Sequence, residues 1–313
     1  MSDLQVVLGG SGGIGGAVVS ELAARGHEVR AVSRRPAPTA PNGVRQHLAD
    51  VATRDGAATA SEGAAVVYHC LQPPYNRWAE EVPMLNRNVS EAVAREGAKL
   101  VVADNLYMYG PISGPITEAS PQEPSSKKGR VRKEAADALL AAHAAGRIRV
   151  TIGRASDYYG PGGTNSIAGK TVFGAAVAGR AVRWPGNADQ PRTFNYLPDL
   201  ARALVTLGQS DTADGRAWIV PAASPLTARA LVRLIELALR RRVKLAVTSK
   251  LAMRLAGLRI PQARELPDIW YQFEAPFVAD GSAFEAAFGA FAPTPHEPAV
   301  HETVTWFSSV IDP

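Results

Sequence analysis

Short apolar runs alternate with helical patterns through the first half of the chain. The runs are bounded by glycine or polar residues, as β-strands are, and they lie at Leu4–Leu8, His27–Ser33, Val44–Asp50, Ala64–Cys70, Lys99–Asp104 and Arg147–Gly153. Between them are helix patterns such as GAVVSELAARG and KEAADALLAAHAAG, each ending at a glycine that suits a C-cap. This alternation predicts an α/β fold with a doubly wound parallel sheet and right-handed crossovers.

The pattern loosens beyond about Gly160. Two amphipathic helix patterns, FNYLPDLARALVTLG and LTARALVRLIELAL, flank a short strand pattern, AWIVPA. The segment Pro261–Phe307 is mostly helical in pattern, and most of its aromatic residues are expected in the core: Trp270, Tyr271, Phe273 and Phe277. We predict a core at residues 1–160 and a mixed region at residues 161–313, which returns to the core and forms a small α-rich C-terminal lobe for substrate.

Six glycines lie between the first strand and the first helix, in the sequence GGSGGIGG. Glycines in this position let the backbone approach a pyrophosphate, whose charge meets the N-terminus of the helix. The loop therefore predicts a dinucleotide cofactor, held by Gly9, Ser11, Gly12, Gly13, Ile14 and Gly15.

The residues after the second strand bear on which dinucleotide is bound. A carboxylate at this point would accept hydrogen bonds from the ribose hydroxyls of NAD, but the chain has Arg34 and Arg35. Guanidinium groups pair well with a 2′-phosphate. The predicted cofactor is NADPH, with NADH left open, and residues 1–160 are then an NADP-binding Rossmann core.

Composition excludes several other classes of protein. The chain has 313 residues, a net charge of +5 and one cysteine, Cys70, so an intramolecular disulfide framework is excluded. The basic run Arg240–Lys244 is interpreted as a solvated helix C-terminus, and no nucleic-acid partner is expected. The six histidines are scattered, so no metal site is predicted.

No leader and no apolar stretch of membrane length is evident, so we expect a cytoplasmic protein without a membrane partner. The oligomeric state is left open.

Taken together, these motifs resemble the extended short-chain dehydrogenase/reductase superfamily, in particular its NAD-dependent epimerase/dehydratase branch and its atypical members. The glycine loop is similar to the family's T-G-x-x-G-x-x-G, RASDYYGPGG to R-x-x-N-x-Y-G-P, and FNYLPDLARAL to F-x-x-V-x-D-x-A-x-A. The resemblance implies further cofactor contacts near the adenine, the ribose and the nicotinamide: Asp50, Val51, Leu71, Gln72, Ala155 and Ser156. Asp157 stands at the asparagine position of the second motif.

Two departures from the family pattern fall on the catalytic residues. Asn105 stands where the family has a catalytic serine or threonine, and in GRVRK the family's Y-x-x-x-K becomes Gly129 and Lys133. The resemblance implies that Lys133 still holds the nicotinamide ribose, while the usual proton donor is lost. Candidates to replace it are Tyr107 or Tyr159, or a phenol on the substrate itself. Asn105 can stabilise a developing alkoxide through its amide N–H, although it cannot deliver a proton.

These departures shape the expected function. We expect an NADPH-dependent ketoreductase of secondary metabolism, here antibiotic biosynthesis, which acts on a bulky, aromatic, polyketide-like ketone without the usual tyrosine relay. The first alternative is a non-catalytic sensor that binds NADP(H). The second, judged weaker because Gly129 replaces tyrosine and because of the Arg34–Arg35 pair, is a nucleotide-sugar epimerase or dehydratase.

Overall fold

The computed structural model describes residues 3–36, 40–258 and 264–311. Its strands are β1 (Gln5–Leu8), β2 (Val29–Ser33), β3 (Arg45–Leu48), β4 (Val66–His69), β5 (Lys99–Asp104), β6 (Arg149–Arg154), β7 (Asp157–Tyr159), β8 (Val182–Pro185), β9 (Phe194–Tyr196), β10 (Ala217–Ile219) and β11 (Leu245–Thr248). Seven of them form one parallel sheet in the order β10-β6-β5-β4-β1-β2-β3. The predicted α/β fold with a doubly wound parallel sheet is confirmed.

The helices of the described residues follow the strands closely. They are α1 (Gly13–Ala24), α2 (Arg54–Ser61), α3 (Trp78–Glu96), α4 (Lys127–Ala144), α5 (Ala175–Val177), α6 (Leu197–Gln209), α7 (Ala228–Leu239), α8 (Lys250–Ala256), α9 (Ser282–Phe288) and α10 (His296–Val310). Short 3₁₀ helices lie at Tyr75–Arg77, Tyr107–Tyr109, Asp211–Ala213 and Leu266–Phe273, and a π-helix lies at Gly169–Gly174.

Alternation along β1 shows how the sheet is covered on both faces. Val7 faces the layer of α1 and α6, while Val6 and Leu8 face the layer of α2, α3 and α4. All three side chains are fully buried, as expected for a central parallel strand covered on both sides. The carboxyl ends of the strands therefore meet at one edge, where ligands bind in open α/β sheets.

A second lobe is built around two further parallel strand pairs, β8 with β11 and β7 with β9. Helix α7 packs on α10, and buried aromatic rings fill the space between these elements, among them Trp184, Phe194 and Phe273. The chain also returns to the main sheet, because α6 packs on α1 and β10 extends the sheet beside β6. The domain boundary at residue 160 stays a prediction, and Pro261–Ala263 of the predicted C-terminal segment lie outside the described residues.

Within residues 3–36, 40–258 and 264–311, no helix is both long enough and apolar enough to cross a bilayer.

Candidate active site

The glycine loop has a shape that only glycine permits. Gly9 has a φ of +86°, and a Cβ on Gly15 would lie 2.1 Å from the carbonyl oxygen of Gly9. Gly12 is the N-cap of α1 and has no side chain to bond the first N–H groups of the helix. The helix therefore presents open backbone donors and a positive dipole end, which together fit a pyrophosphate.

A second loop packs against the glycine loop. A Cβ on Gly13 would lie 2.8 Å from the carbonyl oxygen of Gly162, which follows β7. Ser11 is exposed beside this contact, and Ile14 packs partly into the core beneath it. The two loops thus form a cradle, defined by Gly9–Gly15 and Gly160–Gly163, on the strand-end side of the sheet.

The predicted adenosine contacts lie at neighbouring strand ends. Arg34 and Arg35 are exposed after β2, and Asp50 and Val51 follow β3, which pairs with β2. The Asp50 carboxylate accepts a hydrogen bond from the backbone N–H of Ala52 at 3.1 Å, which closes a turn. The structure brings these four residues together at one edge.

Polar side chains gather at the ends of β4 and β5. Asn105 Oδ1 accepts a hydrogen bond from the backbone N–H of Tyr107 at 3.0 Å. The hydroxyl of Tyr107 meets that of Tyr75 at 2.5 Å, and the Tyr107 ring stacks on Trp78 with centroids 5.9 Å apart. Tyr75 is a residue that the sequence analysis missed, because nothing in the loop after β4 marks it.

Burial dominates the acid–base behaviour of these two phenols. It raises the pKa of both Tyr75 and Tyr107 well above the ordinary value, and the nearby Asp157 carboxylate adds to the rise. The Arg132 guanidinium acts in the opposite sense on both. Both phenols are therefore protonated at neutral pH and available as donors.

The register of α4 decides which basic side chains reach this cluster. Lys128 and Arg132 are one turn apart and buried. Arg132 donates to Gln72 Oε1, lies 3.6 Å from an Asp104 oxygen and covers the ring of Trp78 at 4.1 Å. Lys128 pairs with Glu265 and lies 4.8 Å from the centroid of the Tyr75 ring.

The structure does not bring Lys133 to the strand ends. Its ammonium pairs with Asp137 at 2.6 Å on a solvent-exposed part of the helix. Gly129, one turn before it, faces the backbone of the 3₁₀ helix after β5, since a Cβ there would lie 2.4 Å from the Tyr107 carbonyl oxygen. The tyrosine and lysine positions inferred from GRVRK are thus one residue away from the pair that reaches the cluster, Lys128 and Arg132.

A signal for the correct register was present in the sequence. Ser126 is the N-cap of α4, and its Oγ accepts a hydrogen bond from the Gly129 N–H at 2.9 Å. Ser and Thr are preferred N-caps, so helical numbering from Ser126 indicates which side chains lie in the first turn. The i, i+4 spacing alone fits 128/132 and 129/133 equally well.

A buried ion pair borders the cluster on the side of the second lobe. Arg192, another residue missed from the sequence, binds Asp157 and donates to the carbonyl of Gln272 at 3.0 Å. Its guanidinium lies 4.9 Å from the ring centroid of Phe273 and 5.2 Å from that of Trp184. Aromatic rings and an acid thus surround the buried Arg192 guanidinium.

The remaining predicted residues separate into two groups. Leu71, Gln72, Ala155 and Ser156 follow the ends of β4 and β6, and the backbone N–H of Ser156 donates to Asn195 at 2.9 Å. Tyr159 instead lies in the core of the second lobe, where its hydroxyl meets His296 Nδ1 at 2.8 Å. The structure does not bring Tyr159 together with Asn105, because its ring stacks on Phe173.

Comparison with known proteins identifies the family. A sequence profile described as the NAD dependent epimerase/dehydratase family matches residues 5–220, which is more than half of the chain. The chain belongs to this family. Membership confirms the family resemblance inferred from the motifs, and with it the prediction of a nicotinamide-dependent enzyme. No curated protein matches the chain.

Solved structures of similar fold align with nearly the whole of this chain. MoeE5, in complex with UDP-glucose and NAD, superposes with a TM-score of 0.79 at 22% identity over 97% of this chain and 98% of that chain. DesIV from Streptomyces venezuelae, a dTDP-glucose 4,6-dehydratase with NAD and TYD bound, gives 0.80 at 18% over 98% and 97%. The UDP-glucose 4-epimerase of Thermus thermophilus, in complex with NAD, gives 0.79 at 19% over 98% and 100%.

These findings correct the main functional expectation. The NADPH-dependent ketoreductase acting on an aromatic, polyketide-like ketone is wrong, because the family match and the nucleotide-sugar enzymes among the structural neighbours favour the alternative that was judged weaker. A finer resemblance inferred from the sequence, to the angucyclinone ketoreductase of simocyclinone biosynthesis, has no support among them.

Proposed function

We propose that this family member is a nicotinamide-dinucleotide-dependent enzyme that transfers hydride to and from a hydroxyl-bearing carbon of a nucleotide sugar. The observation that carries the proposal is the position of the Tyr75–Tyr107 hydroxyl pair at the same sheet edge as the glycine cradle. The NAD-bound nucleotide-sugar enzymes of similar fold support the substrate class.

The residues present fit a dinucleotide. The cradle offers close backbone approach and the open N-terminus of α1. We further propose a preference for NADP(H) over NAD(H), because Arg34 and Arg35 follow β2 directly, at the position where an NAD-binding chain would carry an acidic residue. Arg132, rather than Lys133, is the basic residue of α4 that would face the nicotinamide ribose, next to Gln72.

The chemistry divides between the dinucleotide and the chain. A bound nicotinamide ring supplies acceptance and donation of hydride at carbon. Tyr107, protonated and paired with Tyr75, holds the proton that a carbonyl oxygen needs when hydride returns to carbon. The positive charge of Arg132 stabilises negative charge on an oxygen beside the Tyr107 hydroxyl. Asn105 Oδ1 already accepts a hydrogen bond from the Tyr107 N–H. The amide nitrogen of Asn105 can therefore donate a hydrogen bond that orients a substrate oxygen.

Calorimetric titration with NADP⁺ and with NAD⁺ tests the cofactor. Replacing Arg34 and Arg35 together by alanine should weaken NADP⁺ on the order of tenfold or more, since each charge-assisted bond contributes about 1.5–3 kcal/mol, and should leave NAD⁺ unchanged. Arg45→Ala, a change in an exposed arginine of β3, is the matched control. Equal affinity for both dinucleotides in the unaltered protein would overturn the preference, and binding of neither would overturn the function.

Mass spectrometry of UDP- and dTDP-hexoses incubated with the protein and either dinucleotide tests the reaction. Loss of water indicates a dehydratase, and a shifted retention at unchanged mass indicates an epimerase. Tyr107→Phe should lower the rate by about 10²–10⁴, whereas Tyr68→Phe, which removes a buried phenol hydrogen-bonded to Gln5 in the sheet core, should not. Full activity of Tyr107→Phe would remove the proton role, and an unreactive panel with dinucleotide bound would overturn the substrate class.

A further inference from the structure

The segment from Arg240 to Arg264 is unlike the rest of the chain in its charge. It contains eight arginines and lysines and no aspartate or glutamate, so its positive charge exceeds the net charge of the whole chain, which is +5. The sequence interpretation explained only the first part of this segment, as the solvated end of a helix. The remainder carries basic residues well beyond that helix, which ends at Leu239.

The same segment exposes large apolar side chains. Val247, Leu251, Leu255 and Leu258 are 55%, 68%, 60% and 74% exposed. They are four of the seven large apolar side chains that are strongly exposed among the described residues. Exposed apolar side chains scattered singly are ordinary, but a contiguous group marks an interaction site.

Helix α8 carries two of these leucines beside two basic side chains. Ser249 caps the helix by accepting a hydrogen bond from the Ala252 N–H at 3.2 Å. Leu251 and Leu255 are one turn apart and form an apolar row, and Lys250 and Arg254 are also one turn apart and form a basic row beside it. This pattern is typical of helices that lie in a membrane interface.

Packing against the described residues leaves the leucines of α8 mostly exposed. Helix α8 has no buried residue, and its main contact is with the 3₁₀ helix Leu266–Phe273. Short helices are marginal in water without a packed apolar face. Leu251 and Leu255 stay mostly exposed and belong to none of the hydrophobic clusters of the described residues.

The basic side chains of α8 are also without acidic partners in the part of the chain that the structure describes. Neither Lys250 nor Arg254 forms an ion pair there, and the same holds for Lys244 of the preceding loop. Arg242, the member of the segment with a nearby described carboxylate, lies 3.9 Å from Glu236. The charge of this surface is thus available to an anionic partner.

We propose that the α8 surface, defined by Val247, Lys250, Leu251, Arg254, Leu255 and Leu258, docks on an anionic phospholipid bilayer. A second copy of the chain does not fit, because two surfaces of the same positive charge repel each other. An anionic bilayer offers an apolar phase for the leucines and negative headgroups for the basic row, and it requires no complementary groove.

The proposal departs from the expectation that no membrane partner exists. That expectation rested on the lack of an apolar stretch of membrane length, which bears on spanning segments and leaves peripheral docking open. The proposal is also independent of the catalytic one, since it uses none of the residues of the cradle or of the Tyr75–Tyr107 cluster.

Co-sedimentation with vesicles tests the docking. The full chain should bind vesicles that contain phosphatidylglycerol, dissociate from them in high salt, and bind phosphatidylcholine vesicles only weakly. Replacing Leu251 and Leu255 by serine, or Lys250 and Arg254 by glutamate, should lower binding to phosphatidylglycerol vesicles about tenfold or more. All four side chains are exposed, so the melting temperature of each variant should stay within about 2 °C of that of the unaltered protein.

Matched changes elsewhere control for general effects of charge and hydrophobicity. Leu48→Ser removes another strongly exposed leucine, which lies on β3, and Arg45→Glu reverses an exposed charge on the same strand. Both should bind vesicles as the unaltered protein does. No binding to phosphatidylglycerol vesicles, or binding insensitive to the α8 changes, would overturn the proposal. Binding to soluble polyglutamate that depends on Lys250 and Arg254, with vesicle binding insensitive to the leucines, would assign the surface to an acidic protein instead.

Discussion

Replacing Gly129 by alanine tests the register of α4 directly. In an ordinary helix this change is favourable by about 0.5–1 kcal/mol, because alanine restricts the unfolded chain and glycine does not. At Gly129 the added Cβ would lie 2.4 Å from the Tyr107 carbonyl oxygen and 2.8 Å from Pro124 Cβ. The sign of the effect should therefore reverse.

The magnitude follows from the contacts that must move. An ordinary contact of Cβ with another heavy atom begins at 3.4 Å, so the helix start must shift by about 1 Å. Overpacking of this kind costs about 1–3 kcal/mol. The shift also strains the hydrogen bond from the Gly129 N–H to Ser126 Oγ, a helix cap whose loss costs about 1 kcal/mol. After the 0.5–1 kcal/mol that alanine contributes is subtracted, the expected net loss is about 1–3.5 kcal/mol of unfolding free energy.

Thermal and urea unfolding measure this loss, and the apparent melting temperature should fall by about 2–7 °C. Gly16→Ala is the matched control, because Gly16 is also helical but its Cβ would lie 3.6 Å from the nearest atom, the Gly10 carbonyl oxygen. That variant should be as stable as the unaltered protein or slightly more so. A Gly129→Ala protein at least as stable as the Gly16→Ala protein would refute the register deduced for α4.

Three further predictions concern a buried ion pair, a buried histidine and the glycine loop. Asp104→Asn should cost about 3–5 kcal/mol in urea unfolding, because it leaves two buried arginines without their shared acid; Asp137→Asn, at an exposed pair, should cost less than about 1 kcal/mol. Burial lowers the pKa of His69 to about 4. The unfolded chain then takes up the proton first as the pH falls, so stability should drop by about 3 kcal/mol between pH 6.5 and 4, and His69→Gln should flatten that dependence. Gly15→Val should abolish binding of both dinucleotides in calorimetry, since its Cβ would collide with the Gly9 carbonyl.

The fold was accessible from the sequence because its pattern is local and repeated. Strand β5 was predicted with its observed bounds, and β1 and β2 within about two residues at each end. The glycine loop between strand and helix carries its own steric reason, which the contact of Gly15 with Gly9 displays. What the pattern did not reveal is that β10 joins the main sheet beside β6, because a short apolar run does not specify its pairing partner.

The site was less accessible, for two physical reasons. A helix turns by about 100° for each residue, so a register error of one residue moves a side chain from the cluster to the solvent, as it did for Lys133. Residues such as Tyr75 and Arg192 reach the cluster from loops far apart in the sequence, and only the fold brings them together. Function was predicted wrongly because Gly129 was interpreted as the loss of an acid, although it packs against backbone.

The path of the chain between the two lobes has a consequence for dissecting the protein. The chain leaves the main sheet after β6, returns to it with α6 and β10, and leaves again for α7 and α8 before α9 packs back on β10. A protease that cut near residue 160 would nick the molecule without releasing either lobe. A fragment ending there would expose the apolar face of α1 that α6 covers and leave β6 as a bare edge. Expression trials therefore have to keep both lobes on one polypeptide or co-express the two pieces.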